Sequence, residues 1–91
     1  MADAGVANYR VVFTRSARRE LESLEVGVAR RILLRVERLT TNPRPPGAIK
    51  LRGAGDLWRI RVGDYRVIYA IDDVEHLVDI RVVRHRSEVY G

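Results

Sequence analysis

Among its 91 residues the sequence has no cysteine, one lysine and only two histidines. Each shortage removes a class of protein. Without cysteine there are no disulfide staples and no zinc-thiolate sites, a pattern that fits a reducing cytosol and a cytoplasmic location. The histidines, His76 and His85, stand at no spacing suited to a metal, and no small-molecule cofactor is expected. No apolar run is long enough to cross a bilayer, so no membrane partner is expected. Residues 1–8 have neither the basic start nor the apolar middle of a signal peptide. They read as a loose tail before one domain over residues 9–91.

What is present supports a small folded globule. A hydrophobic fraction of 46% with 32% charged residues excludes a disordered-type composition. A chain this short affords one modest core and not a second. The net charge is +5 with a pI near 10.4, which favours polyanionic partners. All but one of the 17 basic residues are arginine. A GC-rich genome produces the same bias, yet the guanidinium fork suits phosphate oxygens and stacks on bases.

The most informative stretch runs from Asp56 to Tyr69, where two alternating apolar runs flank Gly63-Asp64. Period two puts Trp58, Ile60 and Val62 on one side of a strand and Arg59 and Arg61 on the other. Gly63 fits the first central position of a type II′ hairpin turn and Asp64 the second. Tyr65, Val67, Tyr69 and Ile71 share one parity, so the tyrosines belong to the core.

Before this hairpin, Tyr9 to Phe13 reads as a first strand. Thr14 looks like a helix N-cap, followed by an apolar stripe of Ala17, Leu21 and Leu24. Gly27 marks a corner between two helices. In the second helix Val28, Ile32, Val36 and Leu39 share a face with Leu33 beside them, and Arg31, Arg35 and Arg38 share the other. That basic stripe is either an ordinary solvated face or a phosphate-contacting one. Thr41 to Gly47, with its prolines, ends the helix. The glycine-punctuated approach from Ala48 to Gly55 lacks the Gly-Lys-Ser/Thr of a phosphate-binding loop. Asp72-Asp73 makes a second turn, and Leu77 to Val83 a last strand with Val78, Ile80 and Val82 on one side.

The element order is strand, helix, helix and three further strands. It predicts an α+β domain with two helices on one face of a largely antiparallel four-stranded sheet. The other face is left open, and Arg59 and Arg61 should point there. Strict alternation would put Arg84 with Val82, on the apolar side. Either the strand has ended by then or a bulge re-aims the residue.

Four segments then carry a likeness: Lys50-Leu51-Arg52-Gly53, Trp58-Arg59-Ile60-Arg61, Tyr65-Arg66-Val67-Ile68-Tyr69 and Arg86-Ser87-Glu88-Val89-Tyr90. Together they resemble the RelE/ParE superfamily of bacterial toxins, and the last is more particular to the RelE branch. The resemblance implies the toxin of a type II toxin–antitoxin system, a ribosome-dependent, metal-independent endoribonuclease that cuts mRNA in the A site. It implies a catalytic set of Arg59, Arg61, Arg66, Arg84 and Tyr90. Lys50, Arg52 and Arg86, with the Arg31, Arg35 and Arg38 stripe, would bind RNA. The implied partners are an acidic RelB-like antitoxin and the 70S ribosome with its mRNA. A ParE-like inhibitor of DNA gyrase and a catalytically silent antitoxin-binding homologue are the alternatives.

One departure matters chemically. Well-known RelE-type sequences have lysines at the positions of Arg59 and Arg61. An arginine stays protonated to a pKa above roughly 12 and is a poor proton acceptor. The expectation is therefore that His85 or Tyr90 takes the proton from the 2′-hydroxyl. Arg66 and Arg84 would hold the phosphate, and Arg59 and Arg61 would clamp the substrate.

Overall fold

The computed structural model describes residues 8–53 and 55–89. All of the expected tail but Asn8 lies outside the described residues, and so does Tyr90. The elements in order are β1 (Arg10–Phe13), α1 (Arg15–Glu22), α2 (Val26–Glu37), β2 (Ile49–Lys50), β3 (Leu57–Val62), β4 (Tyr65–Asp72), β5 (Leu77–His85) and α3 (Arg86–Val89). A single 3-10 turn, Arg38–Thr40, extends α2.

The strands form one sheet in the order β1-β5-β4-β3-β2, with β1 parallel to β5 and the other pairs antiparallel. The architecture is the α+β arrangement expected, with two corrections: a short third helix, α3, follows β5 where two helices were expected, and the sheet has five strands where four were expected. The fifth is β2, only two residues long, where Ile49 pairs with Arg59 and Lys50 with Trp58. Two residues between glycine- and proline-rich neighbours are too few to display a period, so only the pairing reveals them.

Helices α1 and α2 each start on a side-chain cap. The Thr14 hydroxyl accepts the Ala17 N–H at 3.1 Å, and the Glu25 carboxylate accepts that of Val28 at 3.2 Å. The corner therefore falls before Val26, and Gly27 lies inside the first turn of α2 instead of marking the bend. A capping carboxylate decided the start where a helix-breaking glycine had suggested it. Ala17 and Leu21 of α1, Ile32 and Val36 of α2, and Leu39 just after it enter the core. Leu33, expected beside them, is 44% exposed.

Opposite the helices, the core is closed by Ile60 and Val62 of β3, Val67, Tyr69 and Ile71 of β4, and Val78, Ile80 and Val83 of β5. Trp58 and Tyr65 pack at its rim, as their parity predicted. Gly63 has a φ of 61°, and Asp64 has no positive φ. Val62 pairs with Tyr65 across that turn, which gives the II′ hairpin.

The last strand departs from simple alternation. Ile68 of β4 faces Val82, but Tyr69 faces Ile80, so Arg81 is an extra residue on β5. This bulge shifts the parity by one. Val83 is buried in place of the expected Val82, and Arg84 turns to the face away from the helices.

Candidate functional site

The register of three strands assembles the site. Arg61 pairs directly with Arg66, and Arg66 pairs directly with Arg84. Directly opposed residues project from the same face with Cβ atoms about 5 Å apart. Three guanidinium stems thus stand in one row across β3, β4 and β5, on the helix-free face. Arg59, two residues along β3, shares that face beside Ile68. Arg66 is the most enclosed of the set, 7% exposed.

Two cavities open beside Arg61. A small one of about 80 Å³ lies at the hairpin end and is lined by Arg61, Gly63, Asp64, Tyr65, Arg66 and Arg86. A wider groove of about 390 Å³ lies at the β2 edge and is lined by Arg35, Gly47, Ile49, Arg59 and Arg61. Arg61 belongs to both. Helix α2 contributes to this side because β2 is too short to cover the end of β3. Arg35 comes over that uncovered edge, and Arg31 lies by the turn, its Nη1 3.6 Å from where a Cβ on Gly63 would stand. Among the described residues, Arg59 and Arg61 have no carboxylate partner, and the Arg59 Nε is buried without a hydrogen bond.

Arg84 is in the row by register but not unopposed. Its Nε donates to Glu20 Oε2 at 2.6 Å, while Glu20 Oε1 accepts the Val83 N–H at 2.9 Å. Glu20, on α1, thereby caps the edge of β5 beyond the end of β1 and draws the Arg84 head over that edge. The carboxylate beside it raises the Arg84 pKa above the ordinary arginine value. Arg86 follows at the start of α3, with its N–H donating to Asp64 O at 2.8 Å. Its Nε stands 4.0 Å from Asp64 Oδ1, a loose contact.

His85 faces the other way. It pairs with Tyr65, whose ring lies edge-on to it at 5.3 Å between centroids, on the helix-covered side. Its Nδ1 accepts the Ser87 N–H at 3.2 Å and lies 2.9 Å from the Ser87 hydroxyl. A ring nitrogen that accepts a backbone N–H carries no proton, so in neutral His85 the proton is on Nε2. The one lone pair of the ring is thus spent inside the chain. By strand parity His85 faces away from Arg61 and Arg66, although it lines a cavity of about 470 Å³ with Glu20 and Arg84 at the β5 edge.

With this geometry in hand, the likeness to known proteins is informative. The model of the ParE toxin of type II toxin–antitoxin systems, parDE, matches residues 11–90. The chain belongs to that family. It is also similar to Toxin RelE of Mycobacterium tuberculosis (strain ATCC 25618 / H37Rv), at 37% identity over 83 residues, 90% of this chain and 86% of that protein. Among solved structures it resembles the archaeal RelE–RelB complex from Pyrococcus horikoshii OT3, with a TM-score of 0.78 and 35% identity over 89% of this chain and 98% of the other. The toxin–antitoxin complex RelBE2 of Mycobacterium tuberculosis gives a TM-score of 0.77 and 32% identity over 87% and 99% of the two chains.

Within this family member, the remaining residues singled out from sequence are dispersed. Arg38, Lys50 and Arg52 are exposed and lie outside both cationic cavities. Sequence reasoning missed Glu20, which carries no motif and meets Arg84 across 64 residues of chain. It also missed that Arg35, placed in a helical stripe, shares a groove with the strand arginines. Among the described residues, no helix is long and apolar enough to cross a membrane.

Proposed function

We propose that this toxin-family chain cuts messenger RNA in the ribosomal A site, by attack of a 2′-hydroxyl on the adjacent phosphate, without a metal. The observation that carries the reading is the row Arg61–Arg66–Arg84 on the helix-free face. The attack crowds negative charge onto the phosphorus as the 2′-oxygen adds and the 5′-oxygen departs. Fixed guanidinium groups aimed at that charge supply what is often the largest catalytic term. They need no reorganisation when held by strand register.

Arg66 and Arg61 hold the scissile phosphate, and Arg84 joins them from the β5 edge. Arg59 clamps the strand beside them. Proton removal falls to Tyr90, the last residue of the Arg-Ser-Glu-Val-Tyr segment, because the His85 lone pair is taken up by the Ser87 N–H. His85 then serves to hold the turn into α3. The relatives named RelE support this assignment over the alternatives.

The partner that restrains the chain is an acidic RelB-like antitoxin. The complexes formed by the similar RelE proteins support it. So does an apolar cavity of about 360 Å³ between the helices, where Leu21, Leu24, Val26, Ala29 and Leu33 offer a seat for an amphipathic helix. Val26 there is 70% exposed. The ribosome with its mRNA is the second partner, drawn by the +5 charge.

The test is in vitro translation of a defined message with added protein, mapped by primer extension, with and without ribosomes. Parent, Y90F and H85A run together. Breaks within A-site codons, lost in Y90F and kept in H85A, are the expected result. An intact message in every lane overturns the cleavage reading. The match to the ParE toxin model favours one second reading, gyrase inhibition without RNA chemistry, and inhibition of supercoiling by purified protein would support it.

A further inference from the structure

The groove at the β2 edge is chemically distinct from the row beside it. Its charged lining is three guanidinium groups, Arg35 from α2 with Arg59 and Arg61 from β3, and no carboxylate. The Arg59 Nε is buried there without a partner among the described residues, a donor that has given up water and gained nothing for it. A group that accepts several hydrogen bonds and carries negative charge would satisfy it. Gly47 supplies the outer wall with a φ of 93°, and a Cβ there would meet nothing within 4 Å, so the mouth is open.

We propose that this groove is a second phosphate subsite, which binds the backbone phosphate next to the scissile one and shares Arg61 with the catalytic row. The inference rests on the cleavage reading for its register, but not for the binding itself. Three forked donors around one pocket suit the non-bridging oxygens of a phosphodiester, and the bases on either side of it can stack on the guanidinium planes, which an acidic side chain cannot offer. Arg59 and Arg61 stand roughly 7 Å apart along β3, two residues at the rise of a strand. Two neighbouring anionic groups can therefore be held at once, one at each end of Arg61. Arg35 becomes a substrate-positioning residue at the groove, and the strand of RNA runs along β3 from the hairpin turn toward Arg59.

The experiment reads the Arg59 Nε–H resonance by NMR on the full chain. Three probes are titrated: inorganic phosphate, a short single-stranded 2′-O-methyl RNA that cannot be cut, and an acidic peptide. Parent, R35Q and R10Q are compared, the last as a control of equal charge on β1, at the opposite edge of the sheet. The expected result is a saturable shift with RNA at concentrations about tenfold below those inorganic phosphate requires. R35Q should lose roughly tenfold in RNA affinity, as befits a charge-assisted contact. Its slope of log affinity against log salt should fall by about 1, while R10Q keeps the shift of the Arg59 resonance.

Equal response to phosphate and RNA would make this a free-anion site and overturn the proposal. So would a response to the acidic peptide alone, or an R35Q titration identical to the parent. An RNA-dependent Arg59 shift in a protein that leaves ribosome-bound message intact would retain the subsite and reject the cleavage reading instead.

Discussion

The two ends of the sheet use the same residue type for opposite purposes. At the β4–β5 turn, a cavity of about 700 Å³ is lined in part by Asp56, Asp72, Asp73 and Asp79. Two arginines there are matched: Arg44 binds Asp73 at 2.8 Å, and Arg81 binds Asp79 at 2.9 Å. Arg44 also covers Trp58 at 5.3 Å, and Asp73 accepts the Tyr9 hydroxyl at 2.6 Å. At the β3–β4 turn, Arg59 and Arg61 meet no carboxylate among the described residues. Paired arginines at one end tie the chain to itself, and at the other Arg59 and Arg61 are left for the anion proposed above. The roomier cavity is the wrong one for RNA, because its carboxylates repel phosphate.

The largest effect should come from the cationic end. R66A is expected to slow A-site cleavage by roughly 10²–10³-fold, the scale of one lost transition-state donor. R66K, which keeps the charge but not the fork, should recover part of that rate and guards against a merely unfolded variant. R44A, at the other end, should lower thermal stability with cleavage largely retained. A reversed pattern, with R44A slow and R66A active, would dissolve the distinction between the ends.

The next effect concerns how the paired end is anchored. The Tyr69 hydroxyl donates to Pro43 O at 2.7 Å, which fastens the loop that carries Arg44 beneath the sheet. Burial pushes the Tyr69 pKa up to about 12, with Arg44 opposing, so the phenol remains a donor well into alkaline pH. Y69F removes the donor and leaves a buried carbonyl unmatched, a loss of about 1–2 kcal/mol by urea denaturation. An unchanged midpoint would show that the loop is held by Arg44 alone.

Much of this division was legible in the sequence, and the limits have physical causes. Period two placed Arg59 and Arg61 off the core and Trp58 at its rim, because a strand half buried must alternate. Gly63-Asp64 gave the turn, because few residues accept a positive φ. The bulge was not legible: Arg81 looks like any strand residue, yet without it Arg84 would point into the core and the row would have two members. Glu20 and Arg35 were invisible as site residues for a related reason. Each meets its partner across a long span of chain, and no local pattern encodes such a meeting. The facing of His85 was hidden for the same reason, since the bulge that brings Arg84 to the open face turns its neighbour to the other.

Glu20 offers a way to sharpen the comparison, since it gives Arg84 a carboxylate at 2.6 Å within the chain. Both partners are partly exposed, so solvent screens the pair and it adds little to stability. E20Q keeps an acceptor for the Val83 N–H and removes the charge. RNA affinity at low salt should rise about two- to threefold and the gain should fade at high salt. Weaker binding in E20Q would mean that the carboxylate positions Arg84 for the substrate rather than competing with it.

The smallest effect lies at the paired end and appears only in acid. The Asp73 carboxyl is held below its ordinary value of 3.8, first by the hydrogen bond from Arg44 and then by that from Tyr9. A carboxyl with a lower pKa in the fold than in the unfolded chain binds fewer protons when folded. Its contribution is complete above pH 3.8 and is lost as pH falls through the lower folded value. Because Asp73 is exposed, solvent screens the contribution and it is modest. Thermal melts of the parent should therefore lose midpoint more steeply below about pH 4 than melts of D73N, which cannot titrate. The basic end supplies the contrast: R61Q removes no internal carboxylate contact, so its acid limb should parallel the parent. If D73N and the parent fell together, the Arg44–Asp73–Tyr9 cluster would be a surface contact without consequence, and the two ends would differ only in the ligand they meet.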